Sequence, residues 1–148
     1  MLHINRQTDY AIRVILNLAK NPPGTRKPTA EIRDEMLIPP ALSQRIVAEL
    51  ARGNFILTFP GRDGGIQLAR PAGQINLLQV IEFIQGPIEV SECLISGGEE
   101  CSCSFGTACP VRKRWIRLRT LIRSELESQT FDLLAQDSEE GKAFLYVS

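Results

Sequence analysis

Two double-proline breaks, Asn21-Pro22-Pro23-Gly24 and Leu37-Ile38-Pro39-Pro40, cut the N-terminal third of the chain into three helical stretches. Proline lacks the N–H that a helix interior needs, and its ring clashes with the preceding turn, so no helix crosses either break. Before the first break, Tyr10, Val14 with Ile15, Leu18 and Ala19 recur at helical spacing. This predicts a helix over 5–20, capped by Asn5 or Thr8. Between the breaks, Thr29 is the N-cap of a short helix that ends at about Met36. After the second, a helix over 41–51 gathers Leu42, Ile46, Val47 and Leu50 on one face and stops at Arg52-Gly53-Asn54. Two β-prone runs, 55–59 and 66–69, flank the glycine-rich turn Pro60-Gly61-Arg62-Asp63-Gly64-Gly65, the pattern of a hairpin. Helix, short helix, tight turn, helix and hairpin is the order of a winged helix-turn-helix, here residues 1–70.

The remaining residues, 71–148, read as a second region. A helix over 75–85 is stopped by Gly86-Pro87, and a loop rich in Cys, Ser and Gly runs from 90 to 110. A long helix follows over 111–128, then a short terminal helix over 130–134 with Thr130 as cap, and the last dozen residues read as frayed. The expected fold is mainly α with a small β-hairpin wing: a winged helix-turn-helix plus a long C-terminal dimerisation helix.

Charge supports the division. The chain holds 17 Lys/Arg and 17 Asp/Glu, which argues against a protein that coats nucleic acid. Residues 1–70, however, carry ten basic against six acidic side chains, and residues 71–148 seven against eleven. That asymmetry suits a DNA-reading half joined to an acidic regulatory half. No segment approaches the roughly 20 apolar residues that span a bilayer, and the N-terminus lacks a signal-peptide pattern. A cytoplasmic protein with reduced thiols and no membrane partner is expected. With one histidine, His3, and neither a nucleophile–base arrangement nor a phosphate loop, the chain reads as no enzyme, with no small-molecule substrate.

In a helix-turn-helix the second helix of the pair enters the major groove and offers its early residues to base edges. Here those residues are Ser43, Gln44 and Arg45. Glutamine pairs bidentately with adenine and arginine with guanine, while serine donates or accepts. Arg62 at the wing tip can reach phosphate or the minor groove, and the N–H groups that follow Thr29 can hold a phosphate. The partner expected is double-stranded operator DNA.

The segment Thr8-Asp9-Tyr10-Ala11-Ile12-Arg13-Val14-Ile15-Leu16-Asn17-Leu18-Ala19 closely resembles the first helix of the IscR/NsrR/RirA group of bacterial regulators. The resemblance continues through Gly64-Gly65 with Leu68-Ala69-Arg70, the cysteine loop, Cys109-Pro110 and Phe131-Asp132-Leu133-Leu134. It implies a homodimeric transcription regulator, usually a repressor, whose dimers cross through the long helix. Many members hold an iron–sulfur cluster; some lack the cysteines. Two departures lie in the wing. Pro60 stands where the group commonly has Arg before Gly, with Arg62 available two positions later, and Ile66 stands where an aromatic often follows the glycines.

All four cysteines, Cys93, Cys101, Cys103 and Cys109, fall within 17 positions. Thiolates are soft ligands suited to iron–sulfur clusters or zinc. Structural zinc usually shows paired Cys-x2-4-Cys knuckles. Gaps of seven, one and five residues form none, so the spacing favours a cluster, [2Fe-2S] or [4Fe-4S], over zinc. The resemblance assigns Cys103 and Cys109 as the last two ligands and Cys93 as the first. Cys101, two residues before Cys103, is a further candidate. The NsrR-like branch uses an aspartate of the first helix, reaching from the other subunit, and Asp9 occupies that place. The competing role for Asp9 is a carboxylate in the first turn facing the helix dipole. A histidine-using branch is not matched, since Arg112 stands at its position.

Along the long helix Val111, Trp115, Leu118, Ile122 and Glu125/Leu126 repeat in four- and three-residue steps, a coiled-coil seam read as the dimer interface. The opposite face carries Arg112, Lys113, Arg114, Arg117, Arg119 and Arg123, placed to offset a cluster's negative charge or to meet Glu99 and Glu100. The reading is a DNA-binding regulator governed by a cluster that senses redox state, nitric oxide or iron and cluster supply. The alternatives are a cluster-free thiol–disulfide regulator and a DNA-binding protein with structural zinc.

Overall fold

The structure, a computed structural model, describes residues 2–95, 104–105 and 108–140. Three helices come first: α1 (Arg6–Ala19), α2 (Thr29–Glu35) and α3 (Pro40–Arg52). The hairpin strands β1 (Ile56–Phe59) and β2 (Gly65–Leu68) follow, then α4 (Leu77–Gln85), α5 (Pro110–Ser128) and α6 (Phe131–Glu140). This is the expected mainly α fold with one antiparallel hairpin.

The helix starts follow local chemistry. Of the two candidate caps for α1, Asn5 serves, its side chain accepting from Thr8 N at 2.8 Å. Thr8 is instead fully buried, its hydroxyl donating to Gln85 Oε1 at 2.8 Å. Thr29 lies inside α2 rather than at its cap; the N-cap is Pro28 and no side chain caps the helix. α3 opens one residue earlier than expected, at Pro40, because a first-turn N–H has no intrahelical acceptor and proline loses nothing there. The tight turn between α2 and α3 is made by Leu37 in the left-handed conformation, φ 56°.

The hairpin pairs Ile56 with Leu68, Leu57 with Gln67, Thr58 with Ile66 and Phe59 with Gly65. On the far side of β2, Lys27 exchanges both backbone hydrogen bonds with Ile66, each 2.9 Å. The stretch before α2 thereby lies alongside the wing.

One core holds these elements. Ile15 of α1, Ile32 of α2, Ile46 and Leu50 of α3, and Ile56 and Ile66 of the hairpin are all at most 1% exposed. Ile75, Val80 and Phe131, from beyond residue 70, belong to the same core, with α4 and α6 packed on α1. At about 1.5–3 kcal/mol for each large apolar side chain fully buried, these residues anchor the part of the chain beyond residue 70 directly to the helices and hairpin before it. The terminal helix differs from expectation: α6 continues to Glu140 instead of ending near 134. Phe131 and Ala135 face the core one turn apart, and they carry the polar turns beyond them. Of the dozen residues read as frayed, 137–140 are helical and 141–148 lie outside the described residues.

A polar knot ties the wing to the helices. Lys27 Nζ donates to Glu35 Oε2 at 2.8 Å and to Asn17 Oδ1 at 2.9 Å, and Asn17 Nδ2 donates to Glu35 Oε2 at 2.6 Å. The Lys27 hydrogen bond, seconded by Asn17, holds the Glu35 carboxyl below its ordinary 4.5. A carboxyl depressed in the folded state adds stability above its unfolded pKa and loses it as pH falls through the folded one. Asp132, lowered by the Thr130 hydroxyl, acts in the same direction. The thermal midpoint is therefore expected to hold from neutrality to about pH 5 and to fall below that. The fall should be shallower in Lys27→Met. Calorimetry across this range checks it; equal acid slopes in the two proteins would show the knot to be inert.

Candidate functional site

α2 and α3 form the helix-turn-helix pair, and α3 exposes Gln44 and Arg45. Ser43 is different: it is 5% exposed and its Oγ donates to Pro40 O at 3.0 Å. The inner face of α3 runs through Ser43, Ile46 and Leu50, with Leu42 and Val47 half-buried at its edges. A hydroxyl bonded back to the preceding turn is satisfied locally and so tolerates the interior. Thr29, Ser43 and Gln44 come together with Arg33, Val47 and Thr58 around a shallow groove of about 480 Å3. Arg45 lies on the same helix but does not line the groove, and Arg62 is exposed at the wing turn.

The cysteine segment joins α4 to α5. Cys93 sits in a 3-10 turn, Glu92–Leu94, that packs against α5. Its thiol is half-buried, with Sγ 3.1 Å from Ser91 Oγ. Cys109, also half-buried, is the N-cap of α5. Unpaired N–H groups at a helix start favour anions, thiolates included. Cys101 and Cys103 lie outside the described residues. Among the described residues no three His, Cys, Asp or Glu side chains converge. The two described thiols are soft donors, both free, one beside a hydroxyl and one at a helix start, a set that fits a thiophilic centre.

Asp9 is half-exposed on α1, with its carboxylate 2.8 Å from Arg13 one turn on. The start of α1 is held to the end of α4 by Gln85. Its Oε1 accepts from Thr8 Oγ1 and from Asn5 N (3.3 Å), and its Nε2 donates to His3 O at 2.6 Å.

α5 has two faces. Ile122 and Leu126 pack on Leu78, Ile81 and Ile88 of their own chain. Arg119 pairs with Glu89 at 3.0 Å and Arg123 with Glu82. The other face exposes Val111, Trp115, Leu118 and Leu121, between 38% and 57% each. Ile122, expected in the seam, is thus packed on its own chain, while Leu121 is exposed. The basic residues Arg119 and Arg123 meet Glu89 and Glu82; Glu99 and Glu100 lie outside the described residues.

A family model described as Rrf2, an iron-dependent transcriptional regulator, matches residues 4–137. The chain belongs to the Rrf2 family. As a Rrf2 protein it is a transcription regulator with a DNA-binding winged helix, and not an enzyme. It is 27% identical to the HTH-type transcriptional regulator NsrR of Oceanobacillus iheyensis over 146 residues, 99% of this chain and 98% of the relative. CymR, the global cysteine regulator of B. subtilis, superposes with a TM-score of 0.75 at 24% identity, covering 92% of this chain and 98% of that one. IscR of T. potens superposes with a TM-score of 0.71 at 18% identity, covering 95% and 90%. These two solved structures share the winged-helix fold seen here. Among the described helices of the Rrf2 chain, none is long and apolar enough to cross a membrane.

Sequence reasoning did not mark three polar residues that the fold brings to the groove and the wing. Arg33 and Thr58 line the groove beside Gln44, and Arg26 stacks on the wing at Phe59. Helical spacing could have marked Arg33, one turn after Thr29. Nothing local in the sequence marks Arg26, whose neighbours are set by pairing with β2.

Proposed function

We propose that this Rrf2 protein is a homodimeric cytoplasmic repressor whose affinity for operator DNA is set by an iron–sulfur cluster, [2Fe-2S] or [4Fe-4S]. Cys93, Cys103 and Cys109 hold the cluster, and Cys101 or Asp9 of the partner subunit completes the ligand set. The signal is redox state, nitric oxide or iron and cluster supply. The observation that carries this reading is the concentration of all four cysteines in the one segment that runs into α5, with Cys109 as the N-cap of that helix. The iron-dependent description of the family and the likeness to NsrR across 99% of the chain support it.

Thr29, Gln44, Arg45 and Arg62 form the DNA-reading set, without the buried Ser43, and the outer face of α5, with Val111, Trp115 and Leu118, forms the dimer contact. Ile122 supports that helix from behind, against α4. A change at the loop reaches α5 by two routes, through Cys109 at its start and through Glu89, which precedes Cys93 and pairs with Arg119. Two half-sites about one DNA turn apart must be met together, so a small rotation of α5 changes affinity greatly.

The test is the metal content of protein prepared without oxygen. Wild type is expected to be coloured and to hold iron and sulfide; Cys103→Ala should lose both, to near zero. Unchanged iron and sulfide in that variant overturns the ligand assignment. Colourless zinc protein establishes the structural-zinc alternative, and metal-free protein the thiol switch. Gel shift against genomic fragments tests the DNA arm, which falls if no form binds with salt and sequence dependence.

A further inference from the structure

The wing turn carries one arginine, Arg62, two residues after Pro60. The fold brings another arginine to the same place. Lys27 pairs with Ile66 through both backbone hydrogen bonds, which lays the preceding residue, Arg26, beside the hairpin. The Arg26 guanidinium carbon lies 3.5 Å from the centroid of the Phe59 ring. Its Nη1 also donates to Asp63 O, in the wing turn, at 3.4 Å. A Cβ at Gly65, the strand partner of Phe59, would stand 2.3 Å from Lys27 O. The same glycine therefore admits the Lys27 strand, and with it Arg26, beside the hairpin.

The stack spends one π-face of the guanidinium and a single N–H on the protein. The remaining donors point along the edge of the plane, where arginine makes paired hydrogen bonds to phosphate oxygens. Among the described residues no carboxylate pairs with Arg26, and the side chain is exposed, so its charge is unspent. Stacking also fixes a long, otherwise mobile side chain before any ligand arrives, which lowers the entropy lost on binding. Arg62, exposed at the turn, has no such stack.

We infer that Arg26, stacked on Phe59, is a phosphate-binding residue of the wing and grips the DNA backbone beside the half-site, in addition to Arg62 of the turn. The inference rests on the DNA-binding reading above. A phosphate contact adds affinity irrespective of sequence and leaves a signature in salt dependence, about 0.9 in the slope of log K against log salt for each phosphate neutralised.

The experiment measures that slope by fluorescence anisotropy between about 50 and 200 mM salt. The probe is a labelled duplex of about 30 base pairs, selected by the wild-type protein from a random-sequence library, long enough for two half-sites. Arg26→Met is expected to weaken binding about tenfold on selected and scrambled duplexes alike, and to reduce the slope by about 1 per subunit. Arg26→Lys should keep the slope and lose part of the affinity. Phe59→Leu, which removes the stack but not the charge, should do the same. If no duplex is selected, the DNA-binding reading fails. If wild type binds and Arg26→Met keeps the wild-type slope, this inference fails. Should Arg26→Met also loosen the wing, Arg26→Lys decides: a slope lowered as far as in Arg26→Met overturns a role for the charge.

Discussion

Gly65→Ala is expected to cost about 3–5 kcal/mol of folding stability, assembled from backbone strain of about 1–3 kcal/mol and two backbone hydrogen bonds of about 1 kcal/mol each. The residue has φ 141°, and an added Cβ would meet Lys27 O at 2.3 Å, Lys27 C at 2.7 Å and Pro28 N at 3.1 Å. All three are backbone atoms, so no flexible side chain can swing aside. The relief available is separation of the Lys27 strand from β2, which breaks both of its bonds to Ile66. That movement also draws Lys27 Nζ from Asn17 and Glu35, and Arg26 from Phe59. Gly61 is the control. Its φ is also positive, 93°, yet nothing lies within 4 Å of an added Cβ. Gly61→Ala should therefore cost about 1–2 kcal/mol of strain alone. Against a total stability of about 5–15 kcal/mol, the first variant is severe and the second mild. Urea unfolding of the two side by side checks this. Equal losses would mean that the contact of Lys27 with β2 contributes nothing.

The pair of glycines at 64–65 illustrates how far the sequence could be read. It marked a turn and a wing, and the proline breaks marked the helices, because both are local rules of backbone sterics. The third strand-like contact, at Lys27, obeys no local rule. It follows from how α1 and α2 close on the hairpin, and with it came the Lys27–Asn17–Glu35 knot and the place of Arg26. Ser43 shows the opposite failure. A polar residue early in a recognition helix reads as exposed, yet its hydroxyl is satisfied by Pro40 O and it turns inward. In α5 the apolar repeat located the exposed side chains Val111, Trp115 and Leu118, but it could not show that Ile122, in the same stripe, is packed on Leu78, Ile81 and Ile88 of its own chain, because that depends on where α4 ends up. Cys93 and Cys109 were legible as an isolated cluster of soft donors; their setting, a turn packed on α5 and the cap of that helix, was not.

Leu118→Asp is expected to convert the proposed dimer into a folded monomer. Val111, Trp115, Leu118 and Leu121 leave 49%, 38%, 41% and 57% of their surfaces in water, on a face that the chain's own core does not use. α5 is fixed to its chain from the other side, by Ile122, Leu126 and the pairs Arg119–Glu89 and Arg123–Glu82. An aspartate at an exposed position should therefore change monomer stability by only about 0.5 kcal/mol. Across a two-fold interface each substitution appears twice, and an unpaired charge buried there costs about 3–5 kcal/mol. Operator affinity should fall about 10²–10⁴-fold, because a lone reading head loses the effective concentration supplied by its twin. Ser124→Asp, at an exposed position of α5 outside the apolar face, should leave both assembly and affinity intact. Sedimentation at micromolar concentration, with circular dichroism to confirm the helices, separates the outcomes. A monomeric wild type removes the dimer altogether, and a dimer that survives Leu118→Asp moves its interface off this face. Dissociation with the helices retained leaves the outer face of α5 as the contact that couples two reading heads, opposite the pairs that fix the helix to its own chain.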